Sequence, residues 1–372
     1  MRVTLERSNL LKALNHVHRV VERRNTIPIL ANVLLKSDGA TLRLKATDLD
    51  LEVVETVAAE VSRAGGTTVP AHMLYDIVRK LPEGSEVSLE AQADGRTLAV
   101  RSGRSEFSLQ MLPEVDFPDL NAGEFRVAFT VTSTQLKDLI ERTQFAISTE
   151  ETRYYLNGIY LHLVTVGDVK MLRAVATDGH RLAQAQIPAP EGLTTMPGII
   201  VPRKTVGEIQ KLVDGGDAPV RVEVSETKIR VTFDGVVLTS KLIDGTFPDY
   251  AKVIPKNNDK VLKVSRGEFS EAVDRVSTIA SERGRAVKLA LGEGRLVLSV
   301  NNPDSGSATE ELGVDFTADP IEIGFNAKYL LDIGAQLRTD TAVFKLADAG
   351  SPTLIQDEGD ANALFVLMPM RV

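Results

Sequence analysis

One segment of this sequence has the residue types of a catalytic site. Thr177-Asp178-Gly179-His180-Arg181 places a carboxylate two residues before an imidazole, and an Asp–His pair can act as a general base. An Asp-Gly step between two strand-like segments is, however, first a turn signal. Phosphate-binding loops, H-E-x-x-H zinc motifs and G-x-S-x-G nucleophile motifs are missing from the sequence. We therefore predict a turn here, with an Asp178/His180 hydrolase as the alternative.

The metal-binding residue types indicate no further site. Cysteine is absent, which excludes disulfides and thiolate zinc sites and fits a reducing compartment. Among the five histidines only His16 and His18 lie close together, and residues two apart on a helix point to different faces. We predict that both are at the surface. The sequence predicts no catalytic residue, no metal and no cofactor.

The elements that would position these residues are repeated. Residues 69–81, 201–213 and 324–337 each read as a strand end running into a helix, with starts 132 and 123 residues apart. A period this long indicates a repeated domain, because solenoid units span only about 20–50 residues. Phe117-Pro118-Asp119-Leu120 and Phe247-Pro248-Asp249-Tyr250 close the first two units. The chain therefore reads as one fold written three times.

Periodicity predicts an α+β fold, in which helices pack on sheets. Capping boxes at Thr132–Gln135 and Ser265–Glu268 start two of the helices, and Asp38-Gly39 predicts a hairpin. The predicted helices cover residues 6–24, 71–80, 132–148, 202–213, 265–281 and 327–338. The predicted strands include residues 33–36, 41–45, 51–54, 87–90, 97–100, 106–109, 158–163, 171–175, 287–291, 296–300 and 363–367.

Charge separates the helices from the rest of the chain. The 372 residues carry a formal net charge of −8, yet the six predicted helices hold 16 Lys or Arg against 10 Asp or Glu. If the helices share a surface, that surface attracts a polyanion, while the remaining acidic surface repels one. Aromatic residues make up 5% of the chain and Trp is absent, which favours contact with a duplex backbone over base stacking.

The first predicted helix carries a basic stripe in addition to its apolar one. This stripe consists of Lys12, His16, Arg19 and Arg23, and we interpret it as a solvated helix face.

The N-terminus lacks the apolar run of a signal peptide, and no apolar stretch approaches the ~18 residues that a membrane span needs. We therefore expect a cytoplasmic protein with no membrane partner.

Several motifs, in the same order along the chain, resemble those of the bacterial β sliding clamp family, the beta subunit of DNA polymerase III. They are Arg153-Tyr154-Tyr155-Leu156-Asn157-Gly158, Ala176-Thr177-Asp178-Gly179-His180-Arg181-Leu182, Val201-Pro202-Arg203-Lys204, Thr239-Ser240-Lys241-Leu242-Ile243-Asp244-Gly245 with the following Phe247–Tyr250 segment, and Met368-Pro369-Met370-Arg371. The resemblance runs from Met1 to Val372. It implies three clamp domains, at residues 1–122, 128–252 and 258–372, each with two helices packed on antiparallel sheets. It also implies a head-to-tail homodimer that forms a six-domain ring around duplex DNA.

The resemblance further implies a pocket for short peptide motifs of partner proteins. Its walls and rim would be Arg153, Tyr155, Leu156, Thr177, Gly179, His180, Arg181, Leu182, Pro248, Lys252, Val253, Asn326, Tyr329, Val366, Met368, Pro369, Met370 and Arg371. Leu, Val, Pro and Met suit an adaptable apolar pocket. Lys252 stands where the family has Arg. The two methionines of the tail are expected beside Leu182 and Val253.

The resemblance also assigns residues to DNA and to the dimer. The DNA set is Arg24, His72, Tyr154, Arg203, Lys204 and Lys211, with His72 in the place of an arginine. The interface set is Arg104, Phe107 and Leu109 facing Thr278, Ile279, Asp304 and Glu310 of the partner. Glu106 and Thr278 depart from the family pattern, where a basic and a larger apolar residue are expected.

The function that the resemblance implies is a DNA sliding clamp with no chemistry of its own. Its implied partners are sequence-independent duplex DNA, the alpha subunit of DNA polymerase III, the delta subunit of the clamp loader, and other polymerases, ligase and mismatch-repair proteins. A clamp paralogue that confers drug resistance is the alternative within the same family.

Overall fold

A computed structural model describes residues 1–120, 123–213, 216–280 and 285–371. Within these ranges six α-helices occur, as the periodicity predicts. They are α1 Arg7–Val17, α2 Ala71–Lys80, α3 Ser133–Gln144, α4 Arg203–Leu212, α5 Arg266–Ser277 and α6 Ala327–Gly334. Most end several residues before the predicted limit. The predicted end of the fifth helix, Ser281, lies outside the described residues.

The described residues form 25 strands, all in antiparallel ladders. They are β1 Arg2–Glu6, β2 Asn32–Asp38, β3 Thr41–Thr47, β4 Leu51–Ala58, β5 Glu60–Arg63, β6 Gly65–Pro70, β7 Glu86–Ala91, β8 Thr97–Ser102, β9 Ser105–Gln110, β10 Val127–Thr132, β11 Gly158–Val166, β12 Val169–Thr177, β13 Arg181–Pro188, β14 Ile199–Pro202, β15 Pro219–Val224, β16 Lys228–Phe233, β17 Val236–Lys241, β18 Lys260–Ser265, β19 Ala286–Gly292, β20 Arg295–Asn302, β21 Gly306–Gly313, β22 Ile321–Asn326, β23 Thr341–Leu346, β24 Thr353–Asp357 and β25 Ala363–Leu367. Every predicted strand is present, and the fold is α+β.

The chain divides into two compact units. The first holds residues 1–136, 190–195 and 207–242, and the second holds residues 137–189, 196–206 and 243–372. The first unit contains a five-stranded sheet, β5-β1-β7-β8-β9, and an eight-stranded sheet, β10-β15-β16-β17-β4-β3-β2-β6. The second contains an eight-stranded sheet, β14-β11-β12-β13-β25-β24-β23-β18, and a four-stranded sheet, β21-β20-β19-β22.

Each eight-stranded sheet joins strands from two different sequence repeats. Strand β4 of the first repeat pairs with β17 of the second, and β13 of the second pairs with β25 of the third. Apolar helix faces cover the sheets: α1 buries Leu10, Leu14 and Val17 and contacts β3 and β4. Strand pairing across repeats explains why three repeats give two compact units.

The repeated Ala-Thr-Asp motif forms the same turn twice. Asp48 accepts hydrogen bonds from the N–H groups of Asp50 and Leu51 at 2.9 and 2.7 Å, and Asp178 accepts from His180 and Arg181 at 2.9 and 3.0 Å. The second turn residue has a positive φ in both copies, +80° at Leu49 and +89° at Gly179. The Asp-Gly turn prediction is confirmed, and its backbone conformation belongs to the repeat.

The first capping box forms as predicted. The Thr132 hydroxyl accepts from the Gln135 N–H at 3.1 Å, and the Gln135 side chain accepts from the Thr132 N–H at 2.9 Å. At the second box, the Ser265 hydroxyl accepts from the Glu268 N–H at 3.4 Å. These bonds satisfy donors that a helix start leaves open.

Thr132→Ala is therefore expected to destabilise the protein by about 1 kcal/mol, since it removes one capping acceptor. Chemical denaturation measures the change. Thr132→Ser keeps the hydroxyl and should retain wild-type stability. Equal losses for both variants would mean that the methyl group, and not the cap, matters here.

The basic stripe of the first helix is a solvated face only in part, since Lys12 and Arg23 are exposed but His16 is largely covered. Helix α1 ends at Val17 and continues as a 3₁₀ turn over His18–Val20, so Arg23 lies beyond it. Lys12 pairs with Asp234 at 2.9 Å. The stripe is divided because α1 packs on a sheet that supplies acidic partners from distant sequence.

The prediction that His16 and His18 are surface residues is also wrong. His16 Nδ1 lies 2.7 Å from the Glu55 carboxylate, and the two side chains are 17% and 5% exposed. The His18 ring stacks on Tyr75 at 3.9 Å, and its Nδ1 lies 2.7 Å from the Leu14 carbonyl oxygen. Burial lowers the pKa of His18. Both rings serve the packing of α1.

In the part of the chain that the structure describes, no helix is long and apolar enough to cross a membrane. The same residues contain no group of three or more His, Asp or Glu side chains that could hold a metal ion.

Candidate peptide-binding site

The candidate site is built where three strands of the second unit lie side by side. Strand β12 pairs with β13 so that Thr177 lies opposite Leu182, and β13 pairs with β25 so that Leu182 lies opposite Val366. Beyond the strand end, the Met368 N–H donates to the His180 carbonyl at 2.9 Å. The ladder thus brings together residues that are far apart in the sequence, such as Leu182 and Val366.

The Asp178 carboxylate holds the turn between β12 and β13. One oxygen accepts from the N–H groups of His180 and Arg181, and the other accepts from Arg181 Nε at 3.1 Å. The His180 ring is exposed and lies near Tyr329, with ring centroids 6.5 Å apart. The carboxylate is therefore committed to the turn and to Arg181, and the geometry gives no support to the alternative of an Asp178/His180 general base.

Gly179 favours this turn through its positive φ, and it also lies close to the Arg153 side chain. A Cβ atom at this position would lie 2.6 Å from Nη1 of Arg153. The Arg153 guanidinium donates to the Asp178 carbonyl at 3.1 Å and binds the Glu150 carboxylate through Nε at 2.8 Å. This hydrogen bonding holds the pKa of Glu150 below its ordinary value. The close approach fixes Arg153 at the rim of the site.

Arg181 is largely buried and bound by groups of its own chain, and it lines a cavity together with His180 and Tyr329. Its side chain is 8% exposed, and its guanidinium binds Asp178, Asp332 at 2.6 Å and the Phe145 carbonyl at 2.7 Å. It also lies 4.1 Å from the centroid of the Tyr329 ring, in cation–π geometry. Arg181 therefore ties the turn to α6 and to the end of α3, because a buried guanidinium needs partners for its donors.

The floor of the site is an apolar cluster. Leu156, Leu182 and Val366, three predicted wall residues, are only 4%, 2% and 3% exposed. The sequence reasoning missed five further members: Val175, Ile200, Phe247, Tyr250 and Leu354. Phe247 and Tyr250 belong to the repeated Phe-Pro-Asp segment, so the repetition of this segment could have indicated that they are structurally important. Three of the predicted wall residues therefore form part of a buried floor.

The accessible rim carries exposed apolar side chains. Met368 is 40% exposed and Val253 is 54% exposed, which is unusual for residues of this size. Asn326 caps α6 by accepting from the Tyr329 N–H at 3.3 Å, and Tyr155 packs against the apolar cluster. Lys252 is 80% exposed and pairs with Asp249 at 3.1 Å. Met368 and Val253 are therefore the first apolar contacts available to a ligand.

The two methionines of the C-terminal tail, Met368 and Met370, have different surroundings. Met370 donates its N–H to the Gly324 carbonyl at 2.7 Å and forms a β-bridge with that residue. Pro369, Met370 and Arg371 line a groove with Lys288 and Glu322 on the four-stranded sheet. Met368 is exposed and is held by its N–H bond to His180, whereas Met370 pairs with Gly324 of β22 and lines this groove.

Comparison with known proteins decides the family. Family models for the N-terminal, central and C-terminal domains of the DNA polymerase III beta subunit match residues 1–121, 130–249 and 251–371. The chain belongs to this family. It is 51% identical to the beta sliding clamp of Caulobacter vibrioides and 42% identical to that of Escherichia coli K12, each over 100% of both chains. The fold matches the crystal structure of the Bartonella birtlesii sliding clamp bound to griselimycin with a TM-score of 0.97. The two sequences are 56% identical, and 100% of both chains is covered.

The first clamp domain has charged residues where the site has apolar ones. The pairing of Thr47 with Glu52 corresponds to that of Thr177 with Leu182, so Glu52 takes the place of Leu182 and Lys45 that of Val175. Lys45 Nζ lies 2.9 Å from Glu52 and 2.5 Å from Asp119, with the Lys45 and Glu52 side chains each 10% exposed. The repeated fold therefore does not by itself make an apolar site.

The residues assigned to DNA lie in both units. Arg24, Tyr154, Arg203, Lys204 and Lys211 are all exposed. Lys211 pairs with Glu208 at 2.7 Å. His72 differs: its Nε2 lies 2.8 Å from the Val21 carbonyl oxygen, and its ring meets the edge of His18. That nitrogen is engaged within the protein, where it fixes the segment after α1.

The residues assigned to the dimer lie on two sheet edges and near the end of α5. On β9 the Phe107 side chain is 38% exposed, whereas Leu109 is only 4% exposed and packs within its own unit, so Leu109 is not an accessible edge residue. Glu310 on β21 binds Arg275 of the same chain at 2.6 Å. Arg104, Thr278 and Asp304 are exposed, and Ile279 is half-buried.

Proposed function

We propose that this clamp is a non-catalytic, head-to-tail homodimer with domains near 1–122, 128–252 and 258–372 that closes into a ring around duplex DNA. The pattern of sheet pairing carries this proposal. Each eight-stranded sheet combines strands of two successive repeats, while β9 and β21 each have only one neighbour within the described residues. An unpaired edge strand is a template for a further strand. Pairing β9 of one chain with β21 of another would complete a third sheet of the same kind.

The charges of the helices support the contact with DNA. The six helices are net basic on an acidic chain, which attracts a phosphate backbone without reading its sequence. A clamp that slides on chromosomal DNA acts in the cytoplasm, at the nucleoid.

The apolar cluster and its rim support the tethering of partners through short peptides. Met368 and Val253 offer flexible or small apolar surface above a preformed floor, which suits several related Leu- or Phe-containing segments. The proposed partners are the alpha subunit of DNA polymerase III, the delta subunit of the clamp loader, and other polymerases, ligase and mismatch-repair proteins that carry such segments.

Retention on DNA tests the ring. Clamps loaded on closed circular DNA should remain bound through gel filtration and should be released when the circle is cut, because only topology holds them. Equal retention on circular and linear DNA would contradict encirclement.

Replacing Arg24, Arg203 and Lys204 together with Ala should weaken unassisted DNA binding regardless of base sequence. The slope of log K against log salt should become shallower by about 0.9 for each phosphate that the variant no longer neutralises. Fluorescence anisotropy at several salt concentrations measures it. The matched control replaces Arg126, Arg221 and Arg295, which are exposed basic residues not assigned to DNA, and an equal loss in that variant would remove the special role of the assigned residues.

A further inference from the structure

A column of rings lies beside the apolar cluster of the second unit. The Tyr160 ring stacks on Phe247, with centroids 4.8 Å apart and planes 6° apart, and on His162 at 4.5 Å. Tyr160 and His162 project from β11, whereas Phe247 belongs to the Phe247–Tyr250 segment that completes the cluster. The column therefore links a rigid strand to a segment outside the sheet.

The hydrogen bonds of this column define the protonation of His162. Arg173 Nη1 donates to the Tyr250 hydroxyl at 3.1 Å, since a guanidinium has only donors. The Tyr250 O–H is then free to donate to His162 Nε2, which lies 2.9 Å away. His162 Nδ1 carries the proton and donates to the Leu163 carbonyl at 3.2 Å. This arrangement uses the neutral imidazole, and burial favours that form because it lowers the pKa of His162.

Arg173 is itself held in position. Its Nε and Nη2 both donate to the Gln186 side-chain oxygen, at 3.0 and 2.8 Å. Gln186 lies opposite Arg173 in the β12–β13 ladder. The Tyr250 hydroxyl is thus bound from two neighbouring strands at once.

The first clamp domain does without this network. The strand register places Leu34 and Lys36 at the positions of Tyr160 and His162. The repeated Phe-Pro-Asp segment places Leu120 at the position of Tyr250. Leu120 has no hydroxyl, and the core next to it is the Lys45–Glu52 ion pair. The network is therefore not needed for the repeated fold, and it occurs where the core is apolar.

We propose that His162 is a positioning residue for the peptide site: by accepting from the Tyr250 hydroxyl, it holds the Phe247–Tyr250 segment against the apolar cluster in the conformation that receives an apolar anchor. This inference rests on the proposed peptide-binding function. Without the bond the segment can separate from β11, and part of the floor is lost.

The test measures the affinity of a short synthetic peptide containing Gln, Leu and Phe by calorimetry. His162→Leu and Tyr250→Phe each remove the same hydrogen bond, so each should raise Kd about three- to tenfold. The double variant should bind the peptide with a Kd no higher than that of the weaker-binding single variant, because both substitutions remove the same hydrogen bond. His162→Gln, which can still offer an acceptor near the position of Nε2, should restore most of the affinity. Lys36→Leu, at the matched position of the first domain, should leave Kd unchanged.

The pH dependence of peptide affinity distinguishes the hydrogen bond of His162 from ring packing, because packing alone would not depend on protonation. Burial lowers the pKa of His162 from 6.5, and the groups that face the ring are Arg173 from β12, Tyr160 from β11 and Tyr250 from the covering segment. The neutral form persists above pH 6.5, so affinity should be constant there and should fall only as the pH drops below this value. His162→Gln should lack this component of the fall.

The outcomes separate the two proposals. If wild-type protein does not bind the peptide, the peptide site itself is refuted. If the peptide binds and both His162→Leu and Tyr250→Phe bind it as the wild type does, the positioning role is refuted. Equal loss in His162→Gln and His162→Leu would also refute it, because ring packing would then be the cause. Tyr250→Phe, which removes one oxygen atom, keeps the test valid if His162→Leu does not fold.

Discussion

Deleting residues 368–372 is expected to abolish binding of a Gln- and Leu/Phe-containing peptide while the fold remains intact. The deletion removes Met368, which is 40% exposed, and the Met370 bond to Gly324 that fixes the tail. Removal of apolar anchor residues at a hot spot typically costs about 2–4 kcal/mol. Strand β25 ends at Leu367, so its pairing with β13 and β24 is retained. Calorimetric titration measures the loss of binding.

A matched pair of point variants controls for general loss of apolar surface. Val253 at the rim and Val169 on β12 are both 54% exposed. Val253→Ala should weaken peptide binding, whereas Val169→Ala should not. Unchanged affinity after the tail deletion would show that the site has been assigned to the wrong surface.

Ile279→Asp is expected to convert the dimer to monomers. Ile279 follows α5, is half-buried in the single chain, and its carbonyl accepts from the Asn302 side chain at 2.8 Å, which fixes this segment beside the β20–β21 hairpin. If β9 and Phe107 of a second chain cover it, the aspartate becomes a buried unpaired charge, which costs several kcal/mol. Sedimentation velocity at several protein concentrations measures the change.

Arg104→Ala provides the contrast for this interface. Arg104 is exposed, and an exposed ion pair is worth about 0–1 kcal/mol, so the dimer should persist. Glu310, one of its proposed partners, already binds Arg275 of its own chain, which lowers the expected effect further. An intact dimer of folded Ile279→Asp protein would place the interface on another surface.

Features that depend on neighbouring residues could be predicted from the sequence alone. Capping at Thr132 and Gln135, the Asp178-Gly179 turn and the hairpin at Gly39 involve groups at most a few residues apart, so composition and spacing were sufficient. The three repeats were also legible, because the same local signals recur with a long period. The motifs that resemble the family identified the clamp fold, and the family models confirm it.

The burial of polar groups and the identity of their partners depend on three-dimensional packing and could not be predicted from the sequence. Arg181, read as a pocket wall, is enclosed by Asp332 and Phe145, which are 151 and 36 residues away in the sequence. His16 and Leu109 looked accessible and are largely covered, the first by Glu55 on a facing strand. Helix and strand patterns give the face on which a residue lies, but the partner across that face comes from a remote segment. The burial of a charge is stable only once that partner is in place.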